Sequence, residues 1–215
     1  MTIRTVLVAN RGEIAHRVFR SCAELGISTV AVFVPGDTAH LALADESVPV
    51  GSYLDAESII AAARQTGADA IHPGYGFLSE NAEFAKAVSA AGFTFVGPTP
   101  EVIELMGRKD RAREVAERAG VPVTPRFDPQ AVPESAYPVL VKAAAGGGGK
   151  GMHIVREPAD LAAALATATR EAASAFGDDT LLVEKYVEGG RHVEVQVFGD
   201  SAGNVVHLLD RDCSV

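Results

Sequence analysis

Tyr137-Pro-Val-Leu-Val-Lys142-Ala-Ala-Ala-Gly146-Gly-Gly-Gly149-Lys150-Gly151-Met152 sets a short apolar run against a block of glycine. The run Pro138 to Lys142 reads as a buried strand that delivers a lysine into a loop. Four consecutive glycines, with a fifth at Gly151, let backbone N–H groups turn toward an anion and approach it where side chains would clash. Lys142 and Lys150 add positive charge, so the anion is read as a phosphate. A flexible linker is the competing reading, but linkers mix serine with glycine and do not sit between two strands flanked by lysines. The pattern is neither GxxxxGK[ST] nor GxGxxG, so neither a P-loop nor a dinucleotide fingerprint applies.

Downstream of the loop, His153 to Arg156 reads as a strand, followed by an alanine-rich helix opened by Pro158 and a strand at Leu181 to Tyr186. His192 to Phe198 and Val205 to Leu209 alternate across a turn at Gly199 to Asn204, as an antiparallel hairpin does. Upstream, Pro100 to Ala119 carries two helical patterns broken near Gly107, and Pro122, Pro125, Pro129 and Pro133 mark an extended connection.

The first hundred residues have a different rhythm. Strand-like runs at Thr5–Ala9, Ser28–Val34, Val48–Val50, Ala68–Ile71 and Thr94–Val96 alternate with helical spacing at Ile14–Leu25, Ala56–Gln65 and Glu80–Ala91. Such alternation predicts a parallel sheet covered on both faces, with its ligand edge at the strands' carboxyl ends.

Composition narrows the function classes. The 215 residues are 47% hydrophobic and 22% charged, with a formal net charge of −9 and no basic run, which argues against a nucleic-acid or anionic-membrane partner. No stretch approaches the roughly 18 apolar residues of a membrane span, and no leader precedes Leu7, so a cytoplasmic protein is expected. Cys22 and Cys213 lack metal or disulfide spacing and are read as packing residues.

The segment Tyr137–Gly151 resembles the signature shared by biotin carboxylases and carbamoyl-phosphate synthetases, both ATP-grasp ligases. Ala9–Ala15, His72–Asn81, Met106–Lys109, Glu184–Glu188, Arg191–Gln196 and Arg211–Ser214 all resemble biotin carboxylase, in the family's order. The likeness covers essentially the whole chain. It implies an α/β fold: a Rossmann-like, pre-ATP-grasp domain at 1–103, then an ATP-grasp domain at 104–215. The second is expected to be incomplete, with a glycine-loop lid at about 124–183 and the start of the large sheet at 184–215.

The resemblance also implies a reaction in which ATP activates bicarbonate as carboxyphosphate, and CO2 passes to biotin tethered on a carrier domain that serves a carboxyltransferase subunit or domain. ATP would be held by Lys109, Lys142, Gly147, Gly148, Gly149, Lys150 and Met152 around the phosphates. Glu184, Lys185, Tyr186 and Val187 would form the adenine hinge, and His192 with Glu194 would lie at the ribose. Lys142 is read as a phosphate ligand on its own account too, because an ammonium ending an apolar strand is costly to bury unless an anion meets it. Tyr75, Gly76 and Glu80 are placed near biotin and bicarbonate, with His72–Asn81 as a turn sealing two domains the alternative reading. Arg17, Arg20 and Glu24 are placed at a homodimer interface.

Arg108 stands where family members often have Asp, and Lys150 where many have Arg. The sequence stops at Arg211–Val215 inside a family motif, which reads as a truncation. The Mg2+ or Mn2+ ligands and the catalytic residues are therefore expected beyond Val215, and the isolated chain is expected to be inactive. A non-catalytic nucleotide-binding or dimerisation module, or another ATP-grasp carboxylase or carbamoyl-phosphate synthetase, is the alternative. The choice of final carboxyl acceptor (acetyl-CoA, propionyl-CoA, pyruvate or urea) belongs to a separate transferase.

Overall fold

The computed structural model describes residues 2–145 and 151–214. Two compact units divide the chain, Met1–Leu105 and Met106–Val215.

In the first unit, β1 (Thr5–Val8), β2 (Ser28–Phe33), β3 (Glu46–Pro49), β4 (Ala70–His72) and β5 (Thr94–Phe95) form one sheet in the order β3-β2-β1-β4-β5. Every pairing in it is parallel. The period of two along β1 assigns the faces. Val6 and Val8 pack with Ala15, Phe19 and Cys22 of α1 (Gly12–Glu24). Leu7 and Ala9 pack on the other side with Ile59 of α2 (Ala56–Thr66) and Phe84 of α3 (Ala82–Ala90). Asp55 caps α2 by accepting from the Ser58 N–H, and Asn81 caps α3 by accepting from the Phe84 N–H. The cap at Asn81 moves the start of the third helix two residues beyond the Glu80 expected from periodicity.

The division between the units falls at the end of α4 (Pro100–Met106). The second unit begins with α5 (Lys109–Arg118). Its four-stranded sheet comprises β6 (Arg126–Phe127), β7 (Val139–Ala143), β8 (Met152–Val155) and β9 (Leu181–Lys185) in the order β6-β9-β7-β8. All three pairings are antiparallel. β6 was not foreseen: two residues inside a proline-marked connection carry no readable period. Val139, Val141, Val155 and Val183 form a core with Ala168 of α6 (Leu161–Phe176). A 3-10 turn at Pro158–Asp160, rather than Pro158 itself, leads into α6.

The expected hairpin is present as β10 (Val193–Gly199) and β11 (Val205–Asp212), a separate two-stranded sheet. Its register shifts between Val195 and Val197, and Leu209 takes a positive φ of 65°. Two residues of β11 thus stand opposite Gln196 in a β-bulge. β11 is exposed along its whole length.

Candidate functional site

Alternation places Leu140, Lys142, Leu182 and Glu184 on the sheet face opposite α6. There the Lys142 ammonium lies 2.7 Å from Glu184 Oε2. Glu184 is only 7% exposed, and a carboxylate so enclosed needs compensation. It receives more than one partner: Arg113 Nη1 stands 3.3 Å from Oε1, and Thr124 Oγ1 donates to Oε2 at 3.1 Å. Arg113 projects from α5 and also donates to the Thr124 carbonyl. Glu184 therefore keeps two partners if Lys142 turns to another anion. Neither Arg113 nor Thr124 was anticipated. The polar sequence of α5 has no apolar stripe to orient it, and Thr124 lies among prolines.

Lys142 pairs across the ladder with Met152, and Lys109 starts α5 with its N–H donating to the Ala144 carbonyl at 3.0 Å. Lys109 Nζ lies 3.3 Å from the Ala145 carbonyl. Three expected phosphate-side residues, Lys109, Lys142 and Met152, thus meet where β7 enters the glycine loop. Gly147, Gly148, Gly149 and Lys150 lie outside the described residues. Arg108 anchors this end of α5 through Asp110 and Asp178. Bonds from Thr180, and then from Arg108, hold the Asp178 carboxyl down at about 2.

The hinge segment follows β9. The Lys185 side chain is engaged elsewhere: its ammonium donates to the Ala136 and Tyr137 carbonyls at 2.9 and 3.1 Å. Its backbone N–H donates to Pro125 O at 2.8 Å, and the Tyr186 N–H to Pro138 O at 3.1 Å. A hinge role for Lys185 and Tyr186 is thus left to their carbonyls. Val187 is exposed.

His192 and Glu194 lie at the start of the hairpin, with His192 Nε2 3.8 Å from Glu194 Oε1. Arg211 Nη2 binds the other Glu194 oxygen at 2.6 Å and, as the leading cause, keeps that carboxyl below its ordinary range.

In the first unit the connections after β1 and β4 meet, at the carboxyl edge where the strand order reverses. Asn10 Nδ2 donates to the Pro73 and Tyr75 carbonyls, each at 2.8 Å. Gly74 has φ +64°, and a Cβ there would come within 2.6 Å of Asn10. Tyr75, Gly76 and Glu80 are exposed on this loop, while the Phe77 ring lies tilted 5.2 Å from that of Tyr53. Arg11 is engaged by Asp37, which also accepts from Tyr53 Oη at 3.1 Å. Arg17, Arg20 and Glu24 lie on the exposed side of α1, away from buried Ala15, Phe19 and Cys22.

His72 Nδ1 accepts the Gly74 N–H at 2.9 Å, which requires that nitrogen to be unprotonated. Burial pushes the His72 imidazole below its usual value of 6.5. The unfolded chain therefore binds this proton first, so stability is complete above about pH 6.5 and falls as pH drops toward the lowered folded value. A thermal-unfolding series from pH 7.5 to 5 should show the midpoint falling on acidification. His72→Gln should flatten that slope, and an unchanged slope in the variant would contradict the assignment.

Among the described residues no group of three His, Cys, Asp or Glu side chains converges to hold a metal ion. Among them, too, no helix is long and apolar enough to cross a membrane.

Two family models match, "Biotin carboxylase, N-terminal domain" over residues 2–103 and "Carbamoyl-phosphate synthase L chain, ATP binding domain" over 108–215. The biotin carboxylase of Pseudomonas aeruginosa is 51% identical over 99% of this chain, which covers 51% of that protein. The structure is similar to a Campylobacter jejuni biotin carboxylase in complex with β-γ-ATP, with a TM-score of 0.95 and 45% identity over 99% of this chain and 51% of that one. It is likewise similar to the biotin carboxylase domain dimer of Hydrogenobacter thermophilus 2-oxoglutarate carboxylase, solved with MgADP, ADP and bicarbonate. There the TM-score is 0.92 with 49% identity, covering 100% of this chain and 51% of that one. The chain spans about half the length of the relatives it matches.

Proposed function

Given that the chain belongs to the biotin carboxylase family, we propose that it is the ATP-binding portion of a ligase that carboxylates carrier-bound biotin with bicarbonate. The observation that carries this reading is the meeting of Lys142, Lys109 and Met152 where β7 leads into the glycine loop, beside strand β9, which runs into the Glu184–Val187 hinge.

Within that reading this chain's residues bind and position. Lys142 exchanges its contact with Glu184 for the nucleotide phosphates, while Arg113 and Thr124 keep the abandoned carboxylate satisfied. Lys109 and the glycine loop, including Gly147, Gly148, Gly149 and Lys150, complete a cationic cradle. The adenine sits at Lys185–Val187, and His192 and Glu194 approach the ribose. Tyr75, Gly76 and Glu80 belong to the biotin and bicarbonate side. The domains are 1–103 and 104–215, with a glycine-loop lid whose sheet runs through β9 to Lys185, two residues past the expected bound of 183, and the large sheet beginning after it.

Among the described residues no three His, Cys, Asp or Glu side chains converge to hold the divalent metal of this chemistry. Homodimerisation is supported by the dimer solved for the Hydrogenobacter domain, and we place it on the α1 face bearing Arg17, Arg20 and Glu24. Carrier and carboxyltransferase partners, and a cytoplasmic setting, follow from the same reading.

Two measurements test it. Isothermal titration of the 215-residue chain should detect ATP, and biotin-dependent ATP hydrolysis by this chain alone should be absent. Failure to bind ATP overturns the site. Biotin-dependent turnover overturns the division of labour.

A further inference from the structure

The register of the second sheet gives two prolines a role. In an antiparallel ladder, residues of a hydrogen-bonded pair exchange two bonds, each N–H donating to the other's carbonyl. The β6–β9 register, Arg126 opposite Glu184, puts Pro125 opposite Lys185. The β7–β9 register, Val139 opposite Lys185, puts Pro138 opposite Tyr186. Both are hydrogen-bonded pairs, because Lys185 N–H donates to Pro125 O and Tyr186 N–H to Pro138 O. The return bonds cannot form, since proline has no N–H. The Lys185 and Tyr186 carbonyls therefore lack the ladder donors that any other residue at 125 and 138 would supply.

We propose that Pro125 is a positioning residue that keeps the Lys185 carbonyl open to accept from an exocyclic amine on the bound base. This rests on the nucleotide site proposed above and gives it a source of base selectivity. A carbonyl acceptor favours a purine bearing an amine at the six position and opposes one bearing a carbonyl there.

The test is a two-by-two comparison by isothermal titration on the whole chain: wild type and Pro125→Ala, each with ATP and with purine riboside triphosphate, which lacks the amine. Pro125 is exposed, so the variant has no core to disturb. In the wild type the amine should strengthen binding roughly fivefold, the effect of about one neutral hydrogen bond. In Pro125→Ala the new N–H closes the ladder, ATP should weaken by that factor, and purine riboside triphosphate should bind as before. Pro122→Ala, also exposed and opposite neither carbonyl, should change nothing. Equal wild-type affinity for the two nucleotides overturns the proposal whether or not the variant folds. An amine effect of the same size in Pro125→Ala overturns it too. Loss of all triphosphate binding by the wild type overturns the nucleotide site itself, a result distinct from either.

Discussion

Lys142→Ala is expected to weaken ATP binding by roughly ten- to a hundredfold while leaving binding of adenosine unchanged. A hydrogen bond to a charged group contributes about 1.5–3 kcal/mol, and each 1.4 kcal/mol is a factor of about ten. The ammonium ends a strand whose Val139 and Val141 are fully buried, so its backbone position is fixed by the core under α6. Removing the ammonium does not orphan Glu184, which retains Arg113 at 3.3 Å and Thr124 at 3.1 Å. The fold should survive, and the loss should scale with the number of phosphates: large for ATP and absent for the nucleoside. Titration of ATP and adenosine into wild type and variant checks this. Equal losses for both ligands would point to misfolding, and unchanged ATP affinity would refute a phosphate role.

Glu184→Ala should have the opposite character, with a large cost in stability. Lys142 and Arg113, whose side chains are only 18% and 10% exposed, then both lose the carboxylate they share; Arg113 keeps Glu117 at 3.1 Å, while Lys142 loses its Glu184 counter-charge. Removing one partner of a buried ion pair costs about 3–5 kcal/mol, a sizeable part of the roughly 5–15 kcal/mol that holds a domain together. A bound phosphate chain can supply the missing negative charge. Saturating ATP should therefore raise the variant's unfolding temperature more than it raises the wild type's. A shift no larger than that of an exposed charge would show that the carboxylate is not the hub of this face. Equal ATP stabilisation of both chains would show that Lys142 does not meet the nucleotide.

Most of this architecture was legible because it is local. The β/α alternation of the first unit follows from short apolar runs stopped by Gly26, Pro35-Gly36 and Gly97-Pro98, each a break in the backbone that sequence displays directly. Lys142 was legible for the same reason: an apolar strand ending in a lysine before glycine is a contiguous signal. Arg113 and Glu184 are 71 residues apart in sequence, and Thr124 and Glu184 are 60 apart, so their meeting depends on register rather than on any motif. The Lys185 side chain looks available in sequence, yet it is spent on two carbonyls at Ala136 and Tyr137, 49 and 48 residues away. Pro125 reads only as punctuation in a connection. Its significance appears once the two-residue β6 is paired with β9, a strand too short to announce itself.

The most direct test is the structure of the 215-residue chain with a non-hydrolysable ATP analogue. Three features are expected together: a triphosphate oxygen within hydrogen-bond distance of Lys142 Nζ, the 2.7 Å contact between Lys142 and Glu184 opened, and the purine amine at the Lys185 carbonyl. A nucleotide bound on the α6 side of the sheet, or in place with the Lys142–Glu184 pair still closed, would contradict the account.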